Sequence, residues 1–444
     1  MATTPSRDPR SLFSGIDAPD ESELYKCVHC GFCLQACPTY LETGLEMESP
    51  RGRIALMKGV NEGRIEMNDT VIRHWDLCIQ CRACEVACPS GVPYGRLIEA
   101  TMEQVEEKRK TGLVTKAVAE LSLKQLVPKQ NRLTMMVKGM RMYQRSGLQN
   151  LVKKTGIAKL VAPGLADLEN SMPEIPSTFF EARGQVIPAQ GEKRARVAML
   201  SGCIMPLVHG PQMNAAVRVL TRNGCEVVVP KDQVCCGAMN THVGDLDTAR
   251  ELARRNIDAF LASGVDAIIN ASAGCGTRLK EYDHLLRHDS EYAEKAMCFS
   301  ELVKDIHEFL VDLPVDPPGA SLDYRVTYQD SCHLLNSQGI SQPPRQLLRS
   351  IPGVEFVELP NAAKCCGAGG TYTITERDFS LKILDTKMEY VKQTEADVIA
   401  TANPGCVLQL QYGVSKEGMA ADVRYVVELL DEAYRKESQE EESA

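Results

Sequence analysis

CVHCGFCLQACP (residues 27–38) and CIQCRACEVACP (78–89) set the architecture of the first hundred residues. Both fit C-x2-C-x2-C-x3-C-P, a pattern in which three cysteines wrap one [4Fe–4S] cluster and the fourth ligates its neighbour. The spacing therefore assigns Cys27, Cys30, Cys33 and Cys88 to one cluster, and Cys78, Cys81, Cys84 and Cys37 to the other. Two-residue loops carry successive sulfurs to adjacent irons and leave N–H groups to face inorganic sulfide. Pro38 and Pro89 fix φ after the fourth ligand and remove a donor there. Zinc also accepts C-x2-C pairs, but it has no use for eight cysteines in this interdigitated order.

The stretch between Cys37 and Cys78 is too long for a minimal bacterial cluster loop. The patterns of RGRIALMKGVNEG (51–63) and YGRLIEATMEQVEEKRK (94–110) predict helices packed around the clusters. His29 inside the first motif fits either a satisfied structural histidine or a hydrogen bond that shapes potential. His74 and Trp75, just before the second motif, read as packing rather than as a quinone or gating site.

An internal repeat begins near 195. RVAMLSGC ends at Cys203 and YRVTYQDSC at Cys332, each a short apolar strand running into a cysteine. In the first copy 31 residues lead to Cys235–Cys236 and 38 more to Cys275; in the second, 32 lead to Cys365–Cys366 and 39 to Cys406. Between the landmarks, strand-like VAML, CEVVVP and DAIINASAGC alternate with amphipathic helices, and the second copy repeats the alternation. Such alternation predicts parallel sheets covered on both faces, with the cysteines at strand ends, where open α/β sheets place ligands. Two facing lobes would bring those ends to a shared cleft. Four thiols per lobe suit one further iron–sulfur cluster, and redox-active thiols, zinc or one purely structural lobe remain alternatives. His333, beside Cys332, reads as structural ahead of a role as iron ligand.

The charge of −9 and pI near 5.6 exclude a nucleic-acid binder, which needs an electropositive face. MATTPSRDPR lacks the apolar core of a secretory signal and no run of 18 apolar residues occurs, so the 18 cysteines are expected reduced, in the cytoplasm. Against the acidic total, residues 108–159 hold thirteen Lys and Arg and one acid, Glu120, with Met135, Met136, Met140, Met142 and Tyr143 interspersed. That strip fits a solvated connector, or a surface for an acidic partner or an anionic membrane. The expected architecture is an α+β multidomain chain. A flexible leader (1–18) precedes an α-helical two-cluster ferredoxin domain (19–110) and a basic helical connector and linker (111–194). Two tandem α/β cysteine-rich domains with parallel sheets (195–320 and 321–430) and an acidic, solubilising tail (431–444) complete it. Gly367-Ala-Gly-Gly follows a cysteine pair instead of opening a Rossmann unit, and neither a catalytic triad nor a flavin fingerprint is evident.

CVHCGFCLQACPTY, SPRGRIALMK, DLCIQCRACEVACPSGVPYGRL, CCGAMNTH, NASAGCGTRLKEY, CCGAGGTYT and TANPGC together resemble the glycolate oxidase iron–sulfur subunits across nearly the whole chain. Wider relatives include lactate-utilisation proteins and the cysteine-rich subunits of heterodisulfide reductases and anaerobic glycerol-3-phosphate dehydrogenase. The resemblance implies partner subunits that carry FAD and oxidise glycolate to glyoxylate. It implies that this chain takes their electrons toward quinone, and leaves open a peripheral place on the inner face of the cytoplasmic membrane. It makes Cys203, Cys235, Cys236, Cys275, Cys332, Cys365, Cys366 and Cys406 the cysteines of two CCG domains. In heterodisulfide-reductase relatives each such domain ends in C-x2-C. Here Cys275 is followed by GTR and Cys406 by VLQ, so the last ligand is missing and heterodisulfide cleavage is not expected.

Overall fold

The computed structural model describes residues 9–109, 117–118, 120–155, 173–314 and 317–443. The repeat emerges as two sheets of one topology. In the first, β1 (Val186–Ile187), β2 (Ala195–Met199), β3 (Cys225–Val228), β4 (Ala267–Asn270) and β5 (Val303–Asp305) lie in the order β1-β3-β2-β4-β5. In the second, β6 (Arg325–Tyr328), β7 (Glu355–Val357), β8 (Val398–Thr401) and β9 (Asp422–Tyr425) lie in the order β7-β6-β8-β9. All pairings are parallel except the edge strand β1, antiparallel to β3. Removing β1 leaves identical strand orders. The central strands AIIN (β4) and VIAT (β8) are buried at every residue, as helices on both faces require.

Because β2 leads outward to β3 and the chain then crosses back to β4, strand order reverses beside β2, and likewise beside β6. At such a switch point the loops part and leave room for ligand groups. Cys203, Cys235–Cys236 and Cys275 follow β2, β3 and β4; Cys332, Cys365–Cys366 and Cys406 follow β6, β7 and β8. The fourth strand of each lobe was not anticipated. β5 and β9 are short and run straight into the helices Ile306–Asp312 and Val426–Ser443, so they lack the flanking turn residues that mark a strand.

The N-terminal unit is helical. Ser49 caps the helix Pro50–Asn61 by accepting from Gly52 N, with Pro50 at its first turn. Asn68 caps Asp69–Asp76 through Val71 N. Trp75 is fully buried in the core that these helices share with Tyr94–Lys108.

Three boundaries differ from expectation. The part of the leader from residue 9 docks: Phe13 is buried against Trp75, with centroids 6.3 Å apart, and Asp17 pairs with Arg250 of the first lobe. The stretch from 173 belongs to that lobe, since Ile175 and Phe180 are buried in it and β1 extends its sheet. Residues 431–443 are not a detached tail. The helix Val426–Ser443 buries Leu429, Leu430, Ala433 and Tyr434, and Asp431 takes both ends of the Arg218 guanidinium at 2.7 Å. Glu440, Glu441 and Glu442 lie exposed while the apolar stripe of its first half closes the core, a division that net charge alone conceals.

Glu428 on that helix accepts from Tyr425 N at 2.8 Å, and burial pushes its carboxyl up to about 7. The folded form thus prefers the proton, and the charge penalises folding progressively from the ordinary carboxyl range up to about pH 7. Glu428→Gln keeps an acceptor for Tyr425 N. Its thermal midpoint should exceed that of the parent by a few degrees at pH 8, with the gain shrinking as pH is lowered toward 5.

Candidate metal centres

The two N-terminal motifs adopt matching backbones. His29 and Gln80, each the residue before the second cysteine, have φ of 57° and 55°; Gly31 and Arg82, each the residue after it, have φ of 91° and 59°. Three of these four lack glycine's freedom, so the loops hold local strain to turn successive N–H groups inward, a concavity that suits anions such as inorganic sulfide. Cys27, Cys30, Cys33 and Cys88 line one cavity, which Cys84 and Tyr94 also border. Cys30 is exposed, and Val28 and Phe32 beside it are each 68% exposed, so this cavity lies at the surface. Lys58 donates to Cys27 O at 2.9 Å and Arg51 to His29 O at 3.1 Å, which fixes the loop. Burial, with Lys58 and Arg51 nearby, lowers the His29 pKa and keeps its ring neutral.

The other four thiols are deeper. Burial pushes Cys84 well up, and Cys81, Cys78 and Cys37 add to the push, so these four sense one another. Tyr94 donates to Cys78 Sγ at 3.5 Å. Arg53, 1% exposed, reaches toward Cys37 Sγ at 4.0 Å while donating to Thr39 Oγ1, His74 O and Glu48 Oε2. Burial works against its charge, but Cys78, Tyr94, Cys37 and Glu48 outweigh it and hold Arg53 cationic. His74 Nδ1 meets Glu48 at 2.6 Å, and Trp75 Nε1 donates to Arg53 O. His74 and Trp75 therefore pack around Arg53. Its role was not read from the sequence; the available signal was a charged residue on the otherwise apolar face of SPRGRIALMK.

In the first lobe Cys203, Cys235, Cys236 and Cys275 form a file in which each thiol influences the protonation of the next. The preceding thiol and burial push Cys235, Cys236 and Cys275 up, Cys236 to about 12. Cys332, Cys365, Cys366 and Cys406 form the equivalent file, with Cys366 Sγ 3.3 Å from Cys406 Sγ. Here the direction reverses for two thiols. Hydrogen bonds with Cys332 and Cys366 pull Cys365 well below the usual thiol value, and Cys366 does the same to Cys406. Gly367 N and Asn403 Nδ2 donate to this file, and Gly367 and Gly237 both adopt the positive φ that turns a backbone N–H behind the paired cysteines.

The two files also differ in the helix behind them. Lys387 is the eleventh residue of Arg377–Lys392, and Asn256 is the eleventh of Leu246–Leu261. Lys387, 1% exposed, donates to Asn361 O and Ala362 O, and burial brings its pKa down to about 8 against the pull of Cys366, Cys365 and Cys406. Asn256 is neutral and bonds Val234 N and Cys235 O. Only the second file has a buried ammonium behind it.

The second motif is seated between the lobes. Gln80 Nε2 donates to His242 O of the first lobe, and His333 Nε2 meets Gln80 O at 2.9 Å from the second. His333 is thus a docking residue. Asn336 donates to Cys81 O and Tyr372 OH to Leu77 O. Ile79, Cys81, Cys365, Tyr372 and Ile383 share one apolar cluster, with Cys332 at its edge. The expected cleft between lobes is closed: Ala273 N donates to Ala402 O, Gly274 N to Asn403 Oδ1, and both alanines are fully buried. Among the described residues no three His, Cys, Asp or Glu side chains converge on one point to hold a single ion. The thiols line walls and files instead, a donor set that suits iron–sulfur clusters.

Surface-exposed and buried thiol sets on a strained helical scaffold, followed by two cysteine-rich α/β lobes, define an iron–sulfur electron-transfer protein. A 4Fe-4S dicluster domain model matches residues 23–92, a cysteine-rich domain model matches 197–280 and 326–411, and the linker region of the glycolate oxidase iron-sulfur subunit matches 114–172. The probable glycolate oxidase iron-sulfur subunit of Bacillus subtilis is 46% identical over 93% of this chain and 95% of its own length. The glycolate oxidase iron-sulfur subunit of Escherichia coli K12 is 34% identical over 98% and 100%. Lactate utilization protein A of a Geobacillus species is 32% identical over 53% of this chain and 99% of its own. The chain belongs to the glycolate oxidase iron–sulfur subunit family.

Docking of the second motif depends on a buried charge network. Arg82 and Glu99 of the N-terminal domain pair with Glu281 and Arg278 of the first lobe. Burial raises the Glu99 pKa, yet Arg278 and Arg82 overcome it and hold the group at about 2. Arg278→Met leaves two buried carboxylates sharing one guanidinium. The expected cost is about 3–5 kcal/mol, read as a lowered thermal midpoint and as new proteolytic cleavage between the N-terminal domain and the lobes.

Proposed function

We propose that this chain is the electron-relaying subunit of a glycolate oxidase complex. FAD-containing partner subunits convert glycolate to glyoxylate, and the chain passes their electrons toward quinone from a peripheral position on the cytoplasmic membrane. Bound clusters would supply one-electron chemistry to a reaction in which flavin takes electrons in pairs. Cys27, Cys30, Cys33 and Cys88 would hold one cluster, and Cys37, Cys78, Cys81 and Cys84 the second. Cys332, Cys365, Cys366 and Cys406 would hold a third.

The packing of Cys81 against Cys365 carries this reading. It gives the sites an order, from the exposed Cys30 edge, through the buried Cys81 set, into the second lobe. The chain's own residues do the rest. Val28 and Phe32 offer a partner an apolar approach, Ile79 and Tyr372 keep water from the Cys81–Cys365 contact, and Arg53 and Lys387 face the buried thiols with positive charge. The closed seam between lobes leaves no room for a disulfide substrate there. The first lobe's file, without a buried ammonium, is read as structural or as bound thiols. Lactate oxidation is the second reading, favoured by the lactate-utilisation relative.

Iron and acid-labile sulfide on anaerobically purified chain test the count. About twelve iron atoms per chain are expected. Cys365→Ser should lower the count to about eight and Cys236→Ser should leave it at about twelve; equal losses in both would overturn the assignment of the third site to the second lobe. Lys387→Gln, which still donates to Asn361 O, should shift one EPR signal to lower potential and leave the others in place.

A further inference from the structure

The strip between 108 and 159 concentrates thirteen of the chain's 50 Lys and Arg beside one acid, in a protein of net charge −9. Its helix Gln130–Arg145 is fixed to the first lobe along one side. Leu133 and Val137, one turn apart, are buried in the core that holds Cys203, Cys235 and Cys236, and Gln130 donates to Cys203 O at 3.3 Å. Met135 and Met142 stand on the outer side, 72% and 71% exposed. Lys138, Arg141 and Arg145 lie beside them at helical spacing and, with Met142 and Ser146, line a wide-open surface hollow. The next helix, Leu148–Thr155, extends this surface with exposed Leu148 and Leu151.

These charges are uncommitted. Among the described residues from 120 to 155 the ion pair formed is Lys124 with Asp245 at 3.9 Å, and no carboxylate pairs with Lys138, Arg141 or Arg145. Arg141 rests over the Phe179 ring at 5.4 Å, which aims its guanidinium without neutralising it. Unbranched apolar tips alternating with cations fit a headgroup layer, where methionine enters the acyl boundary and Lys or Arg reaches back to phosphate. A protein interface would instead gather its apolar residues at a centre with charges at the rim.

We propose that this helix face seats the chain on an anionic lipid surface, with Lys138, Arg141 and Arg145 on lipid phosphates and Met135 and Met142 inserted between headgroups. The proposal rests on the peripheral membrane reading above and gives it a surface.

Full-length chain, with iron measured on every sample, is sedimented with vesicles of phosphatidylcholine alone or mixed with phosphatidylglycerol. Binding is expected to the mixed vesicles only and is expected to fall away at about 1 M salt. Lys138→Glu with Arg145→Glu should weaken it at least about thirtyfold. Met135→Ser with Met142→Ser should weaken it while keeping its salt dependence. Equal binding to both vesicle types, no binding, or an unchanged charge-reversal variant would overturn the proposal. So would inorganic phosphate displacing the vesicles at constant ionic strength, or the charge-reversal variant losing co-purifying subunits instead of vesicles. Full iron content alongside any of these failures removes the lipid surface and leaves the relay reading intact.

Discussion

A buried sulfur anion is costly unless a cation or an N–H faces it, and this fold is arranged around that cost. Left-handed residues in the two motif loops present backbone N–H groups, and at the exposed first loop solvent does the rest. Deeper in, Arg53 faces Cys37 and feels the charge of Cys78, and Lys387 feels that of Cys365, Cys366 and Cys406. Each of these cations is itself held in place by acceptors on the scaffold, Glu48 and His74 O for Arg53 and two main-chain carbonyls for Lys387. Support thus runs outward from sulfur to cation to scaffold.

Much of this was legible in the sequence because the signals are local. The cysteine spacings identify the dicluster unit, the matched offsets reveal the repeat, and strand-then-cysteine text puts the thiols at strand ends. What was missed depends on contacts far apart in the chain. β5 and β9 are too short to show a pattern, the acids of the last helix hide its apolar stripe, and Phe13 finds Trp75 only in three dimensions. The closed seam was also beyond reach, because facing strand ends predict proximity and not the alanines and Asn403 that seal it.

The two lobes show how a duplicated fold diverges without changing its backbone. Strand order, cysteine offsets and the glycine after each cysteine pair are shared. The eleventh position of one helix is not. Asn256 there ties down main chain, whereas Lys387 adds a buried charge behind the second set of thiols.

The enclosure of Cys81 also bears on how the protein is made. Its covering residues, Cys365, Tyr372 and Ile383, belong to the last fifth of the chain to leave the ribosome, while the motif itself emerges early. Any group bound at the inner thiols is therefore reached more directly before the second lobe has folded over Cys81 than after Tyr372 and Ile383 have covered it.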